Sequence, residues 1–167
     1  MERIYPKQFP IGIMELYHSI KDRLNSQHLA IKELIKNLDE DFINRRPETG
    51  KWSIRENLVH IVSYHQVFLK RIDKIIKNDN PYFERYRAED DVNFNKLQKL
   101  ISEELLILLE EERNKVADLV FKLNKNELQK PGTHQKFGVM NVVEWIEFFL
   151  LHEAYHIYTI FKLSKMN

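Results

Sequence analysis

Apolar residues recur with the period of a helix in four separate stretches of this chain. In the first, Ile13, Leu16, Tyr17, Ile20, Leu24, Ile31, Leu34, Ile35 and Leu38 fall on one stripe, which predicts a helix over 13–38. The second opens at Ser53. Ser53 and Glu56 spell the S-x-x-E capping box, in which each side chain satisfies a free backbone N–H. From there to about Lys77, Ile54, Leu58, Ile61, Phe68, Leu69, Ile72 and Ile76 share one face. A third helix is expected over 93–123. A fourth is expected over 141–163, where Asn141 and Glu144 repeat the capping logic. The segments between them carry turn residues: 39–47, a longer stretch over 78–91 broken by Pro81, and 130–138 with Pro131, Gly132 and Gly138. Glycine is scarce, at 4 residues, and so are the usual strand signals. Four helices with modest connections most simply make one all-α domain over 1–167, an antiparallel four-helix bundle.

The fourth helix is the most apolar. Val142, Val143, Trp145, Ile146, Phe148, Phe149, Leu150, Leu151, Ile157, Ile160 and Phe161 leave only a narrow polar face around Glu144, Glu147 and Lys162. It is expected to be the most buried of the four. His152, Glu153 and His156 nevertheless fall on the side opposite that polar face. At about 100° per residue the two histidines sit about 40° apart and one turn from each other. Two imidazoles and a carboxylate on a buried face are costly without partners. A lone buried histidine is usually a satisfied core residue, but a convergent i, i+4 pair is better explained as two metal ligands.

Composition narrows the chemistry. Lys plus Arg is 26 and Asp plus Glu is 25, so no basic excess points to nucleic acid. The longest apolar run is too short to span a bilayer, and the first ten residues lack the apolar core of a signal peptide. A soluble, cytoplasmic protein is therefore expected. There is no cysteine. Any metal must be held by His, Asp or Glu, and any thiol chemistry needs a thiol brought in as a small molecule.

His152, Glu153 and His156 also spell H-E-x-x-H, the zinc protease pattern. A protease of that kind takes its third ligand further along the chain. After His156 the sequence reads IYTIFKLSKMN, with no acid and no histidine, so the pattern does not carry that meaning here. A di-iron reading would pair Glu153 and His156 with Glu15 and His18, but the latter two lie off the apolar stripe of the first helix. A third ligand must come from elsewhere. His18 reads as exposed, His28 as a boundary residue and His134 as part of a loop. The second helix offers His60 and His65. His65 lies in the middle of its apolar stripe, while His60 lies on the flank beside Asn57 and Tyr64, so position alone favours His65.

The segment RPETGKWSIRENLVHIVSYH, over 46–65, resembles the DinB-like (YfiT-like) family of metal-dependent enzymes. The shared features are Pro47, then Trp52 and Ser53 opening a helix, then His60 eight residues after the tryptophan. The last helix is similar as well, with His152, Glu153 and His156 following Gly138 and the cap Asn141. The resemblance implies a four-helix bundle and a divalent metal held by His60, His152 and His156. A reactive metal needs an open edge, which suits His60 on its flank, where the resemblance also places the ligand. His65 then becomes a core histidine or a support for a ligand. Two places depart from the family pattern. Tyr158-Thr159 stands where Gly-Gln is common, and His65 stands where an acid is common.

Three neutral imidazoles with open positions describe a catalytic site, and nitrogen ligands suit zinc or nickel. The resemblance implies transfer of a low-molecular-weight thiol to an electrophilic small molecule. The competing readings are a metal-dependent hydrolase and a non-enzymatic, stress-related metal-binding protein. Glu153 is expected to handle a proton or orient a ligand, or else to pair with a basic neighbour. The partner implied is a small-molecule substrate, with a homodimer left open.

Overall fold

The computed structural model describes residues 15–166. Their elements are α1 (His18–Ser26), a 3-10 turn (Gln27–Leu29), α2 (Ala30–Ile35), α3 (Glu40–Asn44), α4 (Ile54–Lys77), β1 (Tyr82–Phe83), a second 3-10 turn (Ala88–Asp90) and α5 (Val92–Leu97). They continue with α6 (Ser102–Lys122), α7 (Lys125–Leu128), β2 (Pro131–His134), β3 (Gly138–Asn141) and α8 (Val142–Ser164). The bundle consists of α1 with α2, then α4, α6 and α8. The all-α four-helix-bundle class expected from the periodicity is the one observed.

The helix directions are less simple than strict alternation. Arg23 pairs with Glu147 and Gln27 with Glu153, so α1 runs parallel to α8. Arg55 of α4 donates to the Leu100 carbonyl just before α6, and Gln66 reaches Glu112, so α4 and α6 are also parallel. By contrast α4 and α8 are antiparallel: His60 meets His156 and Phe68 meets Phe149, with ring centroids 4.4 and 4.3 Å apart. The chain can repeat a direction because residues 78–101 carry it back along the bundle before α6 begins.

Two expected helices are interrupted. The first breaks at the 3-10 turn, where the Gln27 amide turns inward and donates to the Leu150 carbonyl and the Glu153 carboxylate at 2.9 and 2.8 Å. Its expected start, with Ile13, lies outside the described residues. The third divides into α5 and α6. Glu104 accepts from the Ile101 N–H and Glu40 from the Ser102 N–H, so free donors at the restart are satisfied. The second and fourth helices match their expected spans, and both capping boxes, Ser53–Glu56 and Asn141–Glu144, are formed.

The expectation that the last helix is the most buried is corrected. Sixteen of the 24 residues of α4 are buried, against nine of the 23 of α8. Leu151, Tyr155, Tyr158 and Phe161 face outward. The helix α4 packs on both α6 and α8, whereas α8, packed on α4, α1 and α2, leaves the stripe of those four residues to solvent.

A small sheet, absent from the periodicity, caps the bundle. Strand β1 runs parallel to β2, and β2 pairs with β3 in an antiparallel hairpin with Pro131 opposite Asn141 and His134 opposite Gly138. Gly132 lets the hairpin sit down on the bundle. A Cβ there would come within 2.8 Å of Ile75 and 3.1 Å of the Trp145 ring nitrogen. That nitrogen donates to the Gly132 carbonyl at 3.2 Å, which pins β2 to α8. Gly138 turns the hairpin at φ +76°, a conformation that favours glycine.

Candidate metal centre

His60 on α4 and His152 and His156 on α8 bring their Nε2 atoms together. The Nε2 of His152 lies 3.1 Å from that of His60 and 3.2 Å from that of His156. Two ligands on one tetrahedral metal at about 2.05 Å are separated by about 3.3 Å. The spacing therefore fits a common ion. All three ligand atoms lie within 4.8 Å of one another, and no other group of three potential ligands among the described residues does so.

The tautomer of His156 follows from its neighbours. The Asn57 side-chain N–H donates to the Ser53 carbonyl at 2.8 Å, which fixes the amide so that its oxygen faces the histidine. The Nδ1–H of His156 donates to that oxygen at 2.8 Å. The Nε2 of His156 is then an unprotonated lone pair directed at His152. Burial, then the charge each imidazole would place on the others, holds His60 down to about 2. Burial first, then His156 and Arg71, holds His152 to about 3, and burial alone holds His156 to about 4. At neutral pH the three rings are therefore uncharged. One Nε2–H on His152 cannot serve two neighbours well, whereas a shared cation satisfies every lone pair. This buried triad is capable of coordinating a divalent metal.

The triad opens on a cleft of about 460 Å³. Its walls are aromatic, with Trp52, Tyr64, Tyr86, Phe137, Phe148 and Tyr155, and its cations are Arg71, Arg85, Arg87 and Lys136. Trp52 stacks on His156 and packs against His60, while Tyr64 sits edge-on to His152 with centroids 4.4 Å apart. These rings pack against the imidazoles on one side of the site.

A profile of the DinB superfamily matches residues 24–160. The chain belongs to the DinB superfamily. Relatives of this DinB chain from Bacillus cereus and Bacillus anthracis, each named "Putative metal-dependent hydrolase", are 24% identical to it over 137 residues, which is 81% of this chain and 78% of theirs. The bundle is similar in fold to YfiT from Bacillus subtilis, with a TM-score of 0.75 at 15% identity over 94% of this chain and 95% of that one. YfiT is described as "a probable metal-dependent hydrolase with an unusual four-helix bundle topology". A protein of Clostridium difficile 630 shares the fold with a TM-score of 0.68 at 18% identity, over 91% of this chain and 99% of that one.

The remaining sequence candidates of this DinB chain divide clearly. His18 is exposed. His65 is wholly buried and apart from the triad. Its Nδ1–H donates to the Ile61 carbonyl at 2.7 Å, and its Nε2 lies 3.5 Å from the Glu153 carboxylate. Glu153 pairs with Arg113, another fully buried residue, and accepts from Gln27. Its carboxylate is thus turned into the bundle interior and does not line the cleft. Burial pushes this carboxyl upward against the pull of Arg113 and Gln27. His28 is buried near the same cluster; burial, then the charge of Arg113, lowers it to about 4. His134, expected in a loop, sits in β2 and lines the cleft.

Sequence reasoning missed Arg113 and Arg71. Arg113 falls in register with Leu109, Val116 and Val120 on the buried side of α6. That register was the available signal, hidden by the acidic run before it.

Proposed function

We propose that this protein is a metal-dependent hydrolase acting on a small molecule, with His60, His152 and His156 as the ligands of a divalent ion. The observation that carries this reading is the convergence of three neutral imidazoles on the floor of an open cleft, with the Nε2 of His152 at tetrahedral-edge distance from those of both His60 and His156. The names of the Bacillus relatives support it. Three nitrogen ligands with room beside them suit zinc or nickel. When bound, such an ion supplies a Lewis acid that activates water and polarises a carbonyl or phosphoryl oxygen. The protein's own residues do the rest. Asn57 fixes the ring of His156. Trp52 and Tyr64 hold the triad and limit water around it. Glu153 positions α8 through Arg113 and Gln27 rather than touching the substrate.

Thiol transfer is the second reading. The observation in its favour is the size of the cleft, about 460 Å³, which has room for an activated thiol and its acceptor together. The chain has no cysteine, so that thiol would arrive as a co-substrate.

One kinetic series separates the readings. Purified protein is assayed for metal, stripped with chelator, reloaded with zinc or nickel, and offered a panel of esters and amides with and without a small thiol. The hydrolase reading expects turnover that needs metal and no thiol. Turnover only with thiol transfers the assignment to the second reading. Protein that takes up no metal at all overturns both.

A further inference from the structure

Arg71 is a buried cation without a counterion among the described residues. It is 7% exposed, on the face of α4 that looks into the cleft. One guanidinium nitrogen donates to the Glu84 carbonyl at 2.7 Å, and another reaches the Tyr64 hydroxyl at 3.4 Å. The guanidinium lies near the rings of Tyr64, Phe83 and Trp145, 5.5 to 5.9 Å from their centroids. Among the described residues it makes no ion pair, although the equally buried Arg55 and Arg113 each pair with a glutamate. A buried unpaired charge is costly, and ring contacts recover only part of that cost. A bound anion would complete the site.

A second donor faces the same space. The ring of His134 is 4% exposed and lines the cleft. Its Nδ1 accepts from the backbone N–H groups of Lys136 and Phe137 at 3.1 and 3.3 Å. Its proton is therefore on Nε2, and this N–H is the donor left unused. Arg71 lies close enough to both His134 and His152 for its charge to disfavour their protonation. The exposed cations Arg85, Arg87 and Lys136 stand round the mouth, against Glu89 as the one acid lining it.

We propose that the cleft takes an anionic small molecule, whose carboxylate or phosphoryl oxygens are held by Arg71 and the Nε2–H of His134 while its reactive bond lies over the triad. Arginine suits the task because its planar fork matches two oxygens at once. The cations at the mouth raise the local concentration of such a molecule. The proposal rests on the hydrolase reading for the position of the reactive bond, but the anion site itself can be tested without metal.

The experiment is calorimetric titration of metal-free protein at pH 7.5 and low salt with acetate, succinate and inorganic phosphate. At least one is expected to bind at one site per chain, and the preferred probe distinguishes a carboxylate from a phosphoryl group. Arg71→Met is expected to weaken that binding by about tenfold or more, the loss expected for a hydrogen bond to a charged group. Arg71→Lys keeps the charge without the fork and should fall between. His134→Phe, which retains the ring, should also weaken binding, and it decides the question if the Arg71 variants do not fold. Zinc uptake by all the folded variants should match that of the unaltered protein. Failure of every probe to bind, or binding by Arg71→Met and His134→Phe as tight as that of the unaltered protein, overturns the proposal. Anion binding that persists in a protein without hydrolytic activity overturns only the hydrolase reading.

Discussion

The Nδ1–H of His156 donates to the side-chain oxygen of Asn57, whose own amide donates to the Ser53 carbonyl. The N-cap of α4 is thus connected to the histidine triad: Ser53 caps the helix with its hydroxyl and fixes Asn57 with its carbonyl. Groups that orient a ligating imidazole are worth about 10–100-fold in metal affinity. Asn57→Ala is therefore expected to bind zinc about tenfold or more weakly while keeping its helical circular dichroism. Equal zinc affinity in a competition titration would show that the Asn57 contact does not support the site.

Alanine variants of His60 and His65 test which of the two is the third ligand. His60→Ala should lose most metal, as should His152→Ala and His156→Ala, with the fold retained. His65→Ala should retain metal and instead lose about 1–3 kcal/mol of stability, the cost of breaking a buried polar contact. Its Nδ1–H bond to Ile61 and the 3.5 Å approach to Glu153 are the contacts removed. Metal analysis and denaturant unfolding of the four variants give the pattern. The reverse result for His60 and His65 would move the site into the bundle interior.

That distinction also shows what the sequence could and could not convey. The pairing of His152 with His156 was legible, because an i, i+4 pair on an apolar helix has a direction. The third partner was not legible from periodicity. His65 is more central on α4 and does face the core, but there it meets the Arg113–Glu153 pair. His60 lies on the flank because the cleft opens at the seam between α4 and α8, and a helical wheel marks burial rather than seams. Only the resemblance around Trp52 and Ser53 selected it. The hairpin was hidden for another reason. Pro131 and Gly132 look like loop residues, yet Gly132 is needed for the close approach of β2 to Ile75 and Trp145. His134 consequently reads as a loop residue in the sequence, although β2 carries it into the cleft. Repetition of direction between α4 and α6 depends on how residues 78–101 fold back, which no single-helix pattern encodes.

The last expectation concerns acid. His28, His60, His152 and His156 are each held at about 4 or lower in the fold, and burial is the leading cause for every one. His65 is also held well below its ordinary value. In the unfolded chain each would titrate near 6.5. The unfolded state therefore binds more protons than the folded one throughout the interval from about 6.5 down to about 4. By linkage, the stability contributed by keeping these rings neutral is fully present above pH 6.5 and is lost as pH falls through that interval. Each ring costs about 1.4 kcal/mol per pH unit there. Glu153, raised by burial, acts in the opposite sense but is a single group. Metal-free protein should consequently show a nearly constant thermal midpoint above pH 7 and a steep fall between pH 6.5 and 5. Zinc should raise the midpoint at pH 7.5, because a ligand bound only by the fold stabilises it, and the increment should shrink as protons compete for the imidazoles. Thermal scans with and without zinc from pH 8 to pH 5 provide the measurement. A midpoint that stays flat to pH 5 without metal would mean that these histidines are not held neutral in the fold, and a zinc increment independent of pH would mean that imidazoles do not hold the ion.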